Sequence, residues 1–312
     1  MLAFLACSLA CLAQPASAQS WAQPGWNQPS AQPSWGQPAW VQTPEQRLQL
    51  LEQRLAATAR DNPGEYGIAA LDLETGKSVA FNGDRAFPMA STVKVAVAAT
   101  YLSQVDAGRR SLSDQSGGTT AEALMNRMII HSDNHATDEL LAMLGGPQTV
   151  DSWLRSNNLT GIRVDRTIAQ LLSAKRDLQD VRDSSTPRAM LSLLQAIDSG
   201  RVLKPESKSV LLDLMRRCAT GTNRIKALLP PGTPVEHKTG TLSGYSGDVA
   251  FVTLPDRRRI AIAVFARGGE NRPGVIATVA RAIYDGFSAA DARAAAAYFQ
   301  GSSSGGLAPQ PH

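Results

Sequence analysis

The stretch STVKVAVAATYLSQV, residues 91–105, decides the fold. Val93, Val97, Tyr101 and Val105 recur every four residues, the spacing of one buried helical face. Ser91 and Lys94 stand three apart at its start and share a face. Further along, Thr119-x-x-Glu122 reads as a capping box that opens a second helix. Towards the N-terminus, Thr43-Pro44-Glu45 is an N-cap with proline at the first helical position, and Leu48, Leu51 and Leu55 line the helix that follows. Two strand-like runs come next, near Tyr66 to Leu73 and Ser78 to Phe81, separated by a turn at Thr75-Gly76. Towards the C-terminus, strands are expected near Pro234 to Leu242, Gly247 to Leu254 and Arg259 to Ala266, with a helix from about Gly274 to Phe287.

The order is therefore helix, strands, many helices, strands, helix. It predicts an α/β fold in which an antiparallel sheet flanked by helices is assembled from the N- and C-terminal parts, with an all-α domain inserted between them. The expected boundaries are residues 43–88 and 219–290 for the α/β part and 89–218 for the helical part. Residues 291–312 read as an Ala-rich and then Gly/Ser/Pro-rich tail, disordered from Gly301.

Leu2 to Leu12 is an apolar run too short to span a bilayer, and Ala16-Ser17-Ala18 follows as a small-x-small cleavage pattern. Residues 1–18 thus read as an export signal, although no Lys or Arg precedes Arg47. The chain is expected to work in the periplasm or outside the cell, with Cys7 and Cys11 the residues a lipid anchor would use. Residues 19–42 are rich in Gln, Pro and Trp, a composition of an extended linker. Of three cysteines only Cys218 lies beyond the signal, so no internal disulfide can form, and Cys218 reads as a small buried apolar residue.

The 312 residues carry a net charge of +4, with no concentrated basic stripe. Arg257-Arg258-Arg259 reads as a solvated hairpin turn, so nucleic acid is not an expected partner. His131 and His135 are four apart, but Ser132 stands where H-E-x-x-H needs glutamate, so no metal site is expected. No cofactor is implied, and a monomer is expected.

Three short motifs carry chemistry. Ser91-Thr92-Val93-Lys94 is S-x-x-K, Ser132-Asp133-Asn134 is S-D-N, and Lys238-Thr239-Gly240 is K-T-G. All three in this order arise by chance on the order of once in a thousand chains of this length. A serine hydroxyl is a weak nucleophile until a base takes its proton. Lys94 can be that base if burial and a nearby cation, such as Lys238, depress its pKa. Ser132 can relay a proton to a leaving nitrogen, and Asn134 can hydrogen-bond a substrate amide. Backbone N–H groups of Ser91 and Thr241 would face a developing oxyanion.

With these motifs the sequence resembles the class A β-lactamase and penicillin-binding type of serine hydrolase over roughly residues 45 to 287. Pro88-Met89-Ala90-Ser91 resembles the family's approach to its nucleophile, and His237-Lys238-Thr239-Gly240-Thr241 its closing strand. Val164-Asp165-Arg166 and Arg182-Asp183-Ser184-Ser185-Thr186-Pro187 resemble the two ends of its Ω-loop, which implies that Arg166 pairs with Asp183. The resemblance implies Ser91, Lys94, Ser132, Asn134 and Lys238 as catalytic residues and Thr239, Gly240 and Thr241 as substrate-binding residues. It also implies a β-lactam or D-alanyl peptide as substrate, with peptidoglycan as the macromolecular alternative.

The sequence departs from that family in three places. The Ω-loop position of the deacylating glutamate is Ile168, and no glutamate occurs between Glu139 and Glu206. The loop is about two residues longer than usual, which leaves Gln170, Asp177 and Asp180 as candidates to approach the site. The segment between Ser91 and Ser132 is about twenty residues shorter than in typical members, which predicts a more open cleft. The arginine that meets a substrate carboxylate is one of Arg224, Arg267 and Arg272. Three functions follow in order: a β-lactam hydrolase with slow deacylation, an enzyme acting on D-alanyl peptides, and a non-catalytic wall-binding or β-lactam-sensing protein.

Overall fold

The structure is a computed structural model that describes residues 43–302, with side chains to residue 288. The export signal, the Gln/Pro/Trp-rich linker up to residue 42 and the tail beyond 302 lie outside the described residues.

Helix α1 (Pro44–Arg60) begins with the expected cap, now a full capping box: Thr43 Oγ1 accepts the Gln46 N–H at 3.2 Å and Gln46 Oε1 accepts the Thr43 N–H at 2.8 Å. Strands β1 (Glu65–Asp72) and β2 (Ser78–Phe81) form a hairpin, and the two-residue strand β3 (Phe87–Pro88) leads into a 3-10 turn at Ala90–Val93. That turn runs into α2 (Lys94–Asp106). The helical stretch continues as β4 (Gln115–Ser116), β5 (Thr119–Thr120), α3 (Ala121–Ile130), α4 (Asn134–Leu144), α5 (Pro147–Ser156) and α6 (Ile168–Ser173). Next come β6 (Ser184–Ser185), α7 (Pro187–Asp198) and α8 (Pro205–Arg216). A second 3-10 turn, Ile225–Leu228, precedes β7 (Val235–Leu242), β8 (Tyr245–Thr253), β9 (Arg259–Arg267) and α9 (Arg272–Ser302).

The five long strands form one antiparallel sheet in the order β2-β1-β9-β8-β7. Its N-terminal strands reach the C-terminal ones through the β1–β9 ladder, Glu65 opposite Arg267 through Asp72 opposite Ile260. Strand alternation splits the core in two. Ile68, Ala70, Val252, Ile262 and Val264 face α1 and α9. Ala69, Val249, Phe251, Ala263 and Phe265 face the helical segments. Helix α2 is buried without a break from Lys94 to Leu102, so a lysine at its first turn is carried into the interior rather than to the surface.

Four local readings shift. The turn at Ser91 is 3-10, and the α-helix proper starts at Lys94. The cap of α3 is Thr120, whose Oγ1 accepts the Ala123 N–H at 3.2 Å, while Thr119 pairs in β5. The helical stretch holds short strand pairs, β3 with β6 and β4 with β5. Helix α9 continues past Phe287 to Ser302, because residues 289–297 are mostly alanine, the best helix former. No helix among the described residues is long and apolar enough to cross a membrane.

Candidate active site

The turn before α2 is held from three sides. Thr92 Oγ1 donates to Met89 O at 2.8 Å, the Lys94 N–H donates to Ser91 O, and the Met89 N–H donates to Asp183 O at 3.0 Å. Ala90 has φ +48°, a left-handed conformation that costs a residue with a Cβ and persists only where packing enforces it. Two more such residues border the site, Ser132 at +59° and Asp183 at +52°. Strand β7 lies directly on the turn: a Cβ added at Gly240 would sit 2.5 Å from Met89 O. Only glycine admits this approach, which brings the Thr241 end of the strand beside Ser91.

S-x-x-K, S-D-N and K-T-G converge on one hydroxyl. Lys94 Nζ donates to Ser132 O at 2.6 Å, to Asn134 Oδ1 at 2.8 Å and to Ser132 Oγ at 3.3 Å. Lys238 Nζ donates to Ser132 Oγ at 3.0 Å and to Thr239 O at 3.0 Å. Both lysine side chains are fully buried. Burial and the charge of Lys238 bring the Lys94 ammonium down to about 7, against weaker support from Asp133 and Asp138. Lys238 is brought to about 8, chiefly by burial, with Cys218 and Asp248 opposing. At about 7, Lys94 is a neutral amine in a useful fraction of molecules at pH 7, which is what a base needs.

Strand alternation sends His237 and Thr239 to the opposite face of β7 from Lys238. There Thr239 Oγ1 and Thr220 Oγ1 lie 2.5 Å apart, and Thr220 Oγ1 is 3.4 Å from Cys218 Sγ. His237 Nδ1 meets Asp248 Oδ1 at 3.0 Å, with both side chains fully buried. Cys218 is buried as expected, but its surroundings are polar rather than apolar. Burial alone would raise the thiol; its interaction with His237, the charges of His237 and Lys238, and the Thr220 hydroxyl outweigh that and bring it to about 6. Burial lowers His237, but the charge and hydrogen bond of Asp248, then Cys218, carry it up to about 9.

The three candidate arginines separate cleanly. Arg224 Nη2 donates to Thr241 Oγ1 at 2.7 Å, and its Nη1 holds Gly240 O at 2.9 Å and Gly247 O at 2.8 Å. Arg267 is committed to Glu65 at 2.5 Å and lies over the Phe87 ring. Arg272 is tied to the carbonyls of Gly268 and Gly269.

Arg166 Nε donates to Asp183 Oδ2 at 2.5 Å, and Asp183 Oδ1 accepts the N–H groups of Asp165 and Arg166 at 2.8 and 3.0 Å. Arg166 also faces Asp180 at 3.3 Å. Ile168 begins α6, is buried, and lines one small cavity with Ala90, Val93 and Val97, next to the turn that carries Ser91. Neither Gln170 nor Asp180 is free to replace a carboxylate there. Gln170 Oε1 caps α6 through the Thr167 N–H at 2.9 Å, and Asp180 is held by Arg182 at 2.8 Å. Asp177 Oδ1 accepts the Gln179 N–H at 2.8 Å and lines a small crevice with Lys175 and Leu242. Sequence reasoning missed Asp138, whose carboxylate accepts the N–H groups of Ile168 and Ala169 at 2.7 and 2.9 Å. The signal was its place one helical turn after Asn134, on the same face of α4.

A buried lysine of lowered pKa, a serine bridging two lysines and a lysine-bearing strand are parts that suit an acyl-transfer site. The chain matches the family model "Beta-lactamase enzyme family" over residues 50–287. It is 31% identical over 262 residues to a carbapenem-hydrolyzing β-lactamase, KPC, of Klebsiella oxytoca, covering 76% of this chain and 89% of that one. It is 34% identical over 242 residues to a β-lactamase of Amycolatopsis lactamdurans, covering 71% and 79%. Among solved structures, the reconstructed last common ancestor of Gram-negative class A β-lactamases matches with a TM-score of 0.72 and 34% identity over 76% of this chain and 99% of that one. A β-lactamase from Chitinophaga pinensis matches with a TM-score of 0.71 and 29% identity over 76% and 98%. The fold, the three motifs and these relatives agree that the chain belongs to the beta-lactamase enzyme family, as a serine hydrolase of the class A type.

Proposed function

We propose that Ser91 opens the β-lactam ring by forming an acyl-enzyme, and that this intermediate is released slowly. Neutral Lys94 takes the Ser91 proton as Oγ attacks the lactam carbonyl carbon. The N–H groups of Ser91 and Thr241 meet the oxyanion. The proton passes from Lys94 through Ser132 Oγ to the ring nitrogen as the C–N bond breaks, leaving an ester on Ser91. Lys238, Thr239 and Arg224 with Thr241 form the polar edge that suits a substrate carboxylate, and Asn134 suits the side-chain amide. The observation that carries this reading is Ser132 Oγ within reach of both lysines, at 3.3 and 3.0 Å. Hydrolysis then needs a base for water, and the Ω-loop position is the apolar Ile168.

That same residue favours a second reading, in which a D-alanyl peptide acylates Ser91 and the ester passes to another acceptor. Export through the signal read at residues 1–18 would place either reaction in the periplasm or outside the cell, and we expect a monomer. The test is labelling with a fluorescent penicillin followed by intact-protein mass measurement. Wild type should gain one acyl group and Ser91→Ala none. Equal labelling of Ser91→Ala would sink the assignment of the nucleophile.

A further inference from the structure

The face of β7 turned away from Ser132 carries a buried polar row of which only Thr239 enters the proposed substrate edge. Asp248, His237, Cys218, Thr220 and Thr239 follow one another, linked at 3.0 Å between Asp248 and His237, 3.4 Å between Cys218 and Thr220, and 2.5 Å between Thr220 and Thr239. His237 Nε2 is buried without a conventional hydrogen-bond partner, although the ring interacts with the Cys218 thiol. A fully buried imidazole leaves such a nitrogen empty only at a cost. A thiolate facing it removes that cost.

The charges around this row are unbalanced. Lys238 and His237 come from β7, Arg224 from the loop before the second 3-10 turn, and Lys94 from α2. Against these buried cations stand the buried Asp248 on β8, and the partly buried Asp133 and Asp138, whose charges act on Lys94. Glu236, the buried carboxylate of β7, is taken by Arg216 and Arg259 on the opposite face. A thiol among these cations is drawn to its anion, as thiols beside cationic groups generally are.

We propose that Cys218 is a positioning residue for acyl transfer: as a thiolate paired with the His237 imidazolium on Asp248, it supplies the buried negative charge that keeps Lys238 protonated. The proposal rests on Ser91 acyl chemistry only for its kinetic readout. Lys238 must stay a cation to meet a substrate carboxylate and to depress Lys94, yet burial works against its charge. Cys218 and Asp248 are the anions that oppose this, with Arg224 acting the other way. Through Thr220 the same sulfur also orients the Thr239 hydroxyl. A neutral serine at position 218 keeps the size and the hydroxyl contact but loses the charge.

Three measurements test it. The 240 nm absorbance of wild type minus Cys218→Ser follows the Cys218 thiolate alone. It should rise with a midpoint near pH 6, and a midpoint at or above about 8.5, the ordinary thiol value, overturns the proposal. The Lys238 side-chain resonance, titrated by NMR in lysine-labelled protein, should move down by about one pH unit in Cys218→Ser, a tenfold loss of proton affinity. Cys218→Asp restores a fixed negative charge and should return the midpoint; an unmoved Lys238 in Cys218→Ser overturns the idea. If Cys218→Ser does not fold, His237→Gln replaces it, and the thiolate should then form at higher pH. In acylation by a penicillin, the descending limb of kcat/KM should shift in the same direction as Lys238, which a purely structural defect would not do. Should wild type fail to acylate, the serine-hydrolase reading falls while the two titrations still decide the charge on Cys218.

Discussion

Lys94 and Lys238 reach the same atom, Ser132 Oγ, at 3.3 and 3.0 Å. Two ammonium groups cannot both sit comfortably there in a buried site, so each weakens the other's hold on its proton. The proposed acylation requires Lys94 neutral and Lys238 charged. The rate should therefore rise as pH passes about 7, where Lys94 loses its proton, and fall as pH passes about 8, where Lys238 does. The profile of kcat/KM is expected to be a narrow bell, with apparent values that belong to the coupled pair. Lys238→Arg replaces a titrating cation with a permanent one and should move the descending limb beyond the accessible range. If that limb stays in place, it reports another group.

The Ω-loop is clamped by a buried ion pair rather than by apolar contacts alone. Arg166 and Asp183 are 13% and 8% exposed, and Asp183 also holds two backbone N–H groups. Arg166→Ala leaves a buried carboxylate without its cation, a loss of about 3–5 kcal/mol. The melting temperature should fall by roughly 6–20 °C for a domain of this size. The clamp also has an acid limit. Asp180 is held down to about 2, chiefly by its hydrogen bonds to Arg182, with Arg166 adding to them. Its folded value lies below its unfolded one, so its contribution is full above about pH 4 and is lost as pH falls through about 2. Acid unfolding of wild type that begins above pH 5 would argue against this clamp as the weak point.

Asp138 ties the same loop to α4. Two backbone N–H groups at a helix start, Ile168 and Ala169, share its carboxylate at 2.7 and 2.9 Å. Hydrogen bonds to a charged acceptor are worth about 1.5–3 kcal/mol. Asp138→Ala should destabilise by about 2 kcal/mol and speed amide exchange at Ile168 and Ala169 above all other sites. Asp138→Asn keeps one acceptor and should recover part of both effects. Uniform exchange across the protein in Asp138→Ala would mean the carboxylate does not anchor the loop.

Much of this was legible in the chain, and the parts that were not share a cause. Spacing puts Ser91 and Lys94 on one helical face, and the family resemblance implies the pairing of Arg166 with Asp183. The sequence could not say that Arg224, rather than Arg267 or Arg272, meets Thr241, because that depends on where a loop crosses β7 and β8. Cys218 was misread as apolar for the same reason. Its partner His237 is 19 positions away, and His237 is itself held by Asp248 across the β7–β8 pairing. The 3-10 turn at Ser91 is enforced by Gly240 pressing on Met89 O, a contact between segments 151 residues apart. Local pattern reports propensity and face, while a buried polar cluster is made by tertiary crossings that no local window contains.

Ile168 leaves its position on the Ω-loop without a carboxylate. It lines one small cavity with Ala90, Val93 and Val97, and its backbone is pinned by Asp138, so its side chain is fixed where a base for water would need a carboxylate. A sec-butyl side chain can neither hold water nor take its proton. Asn134 can orient a water, but an amide is no base, and its Oδ1 already accepts from Lys94 at 2.8 Å. Lys94 can serve again only after it has given its proton to the leaving nitrogen. Acylation should therefore outrun deacylation, giving a burst of product equal to the enzyme present. Loss of a positioned base costs about 10²–10⁴-fold in rate, so the slow phase should lie that far below the burst. Ile168→Glu should speed the slow phase by at least tenfold. Ile168→Gln, which matches its shape without its basicity, should not. Burial raises a carboxyl at this position, but Arg166 lines the same small cavity and opposes that. Stopped-flow kinetics on the three proteins decide the matter. Rapid turnover without a burst in wild type would mean that another group deprotonates the water. Asp177 would be examined first, since Asp180 is already bound by two arginines.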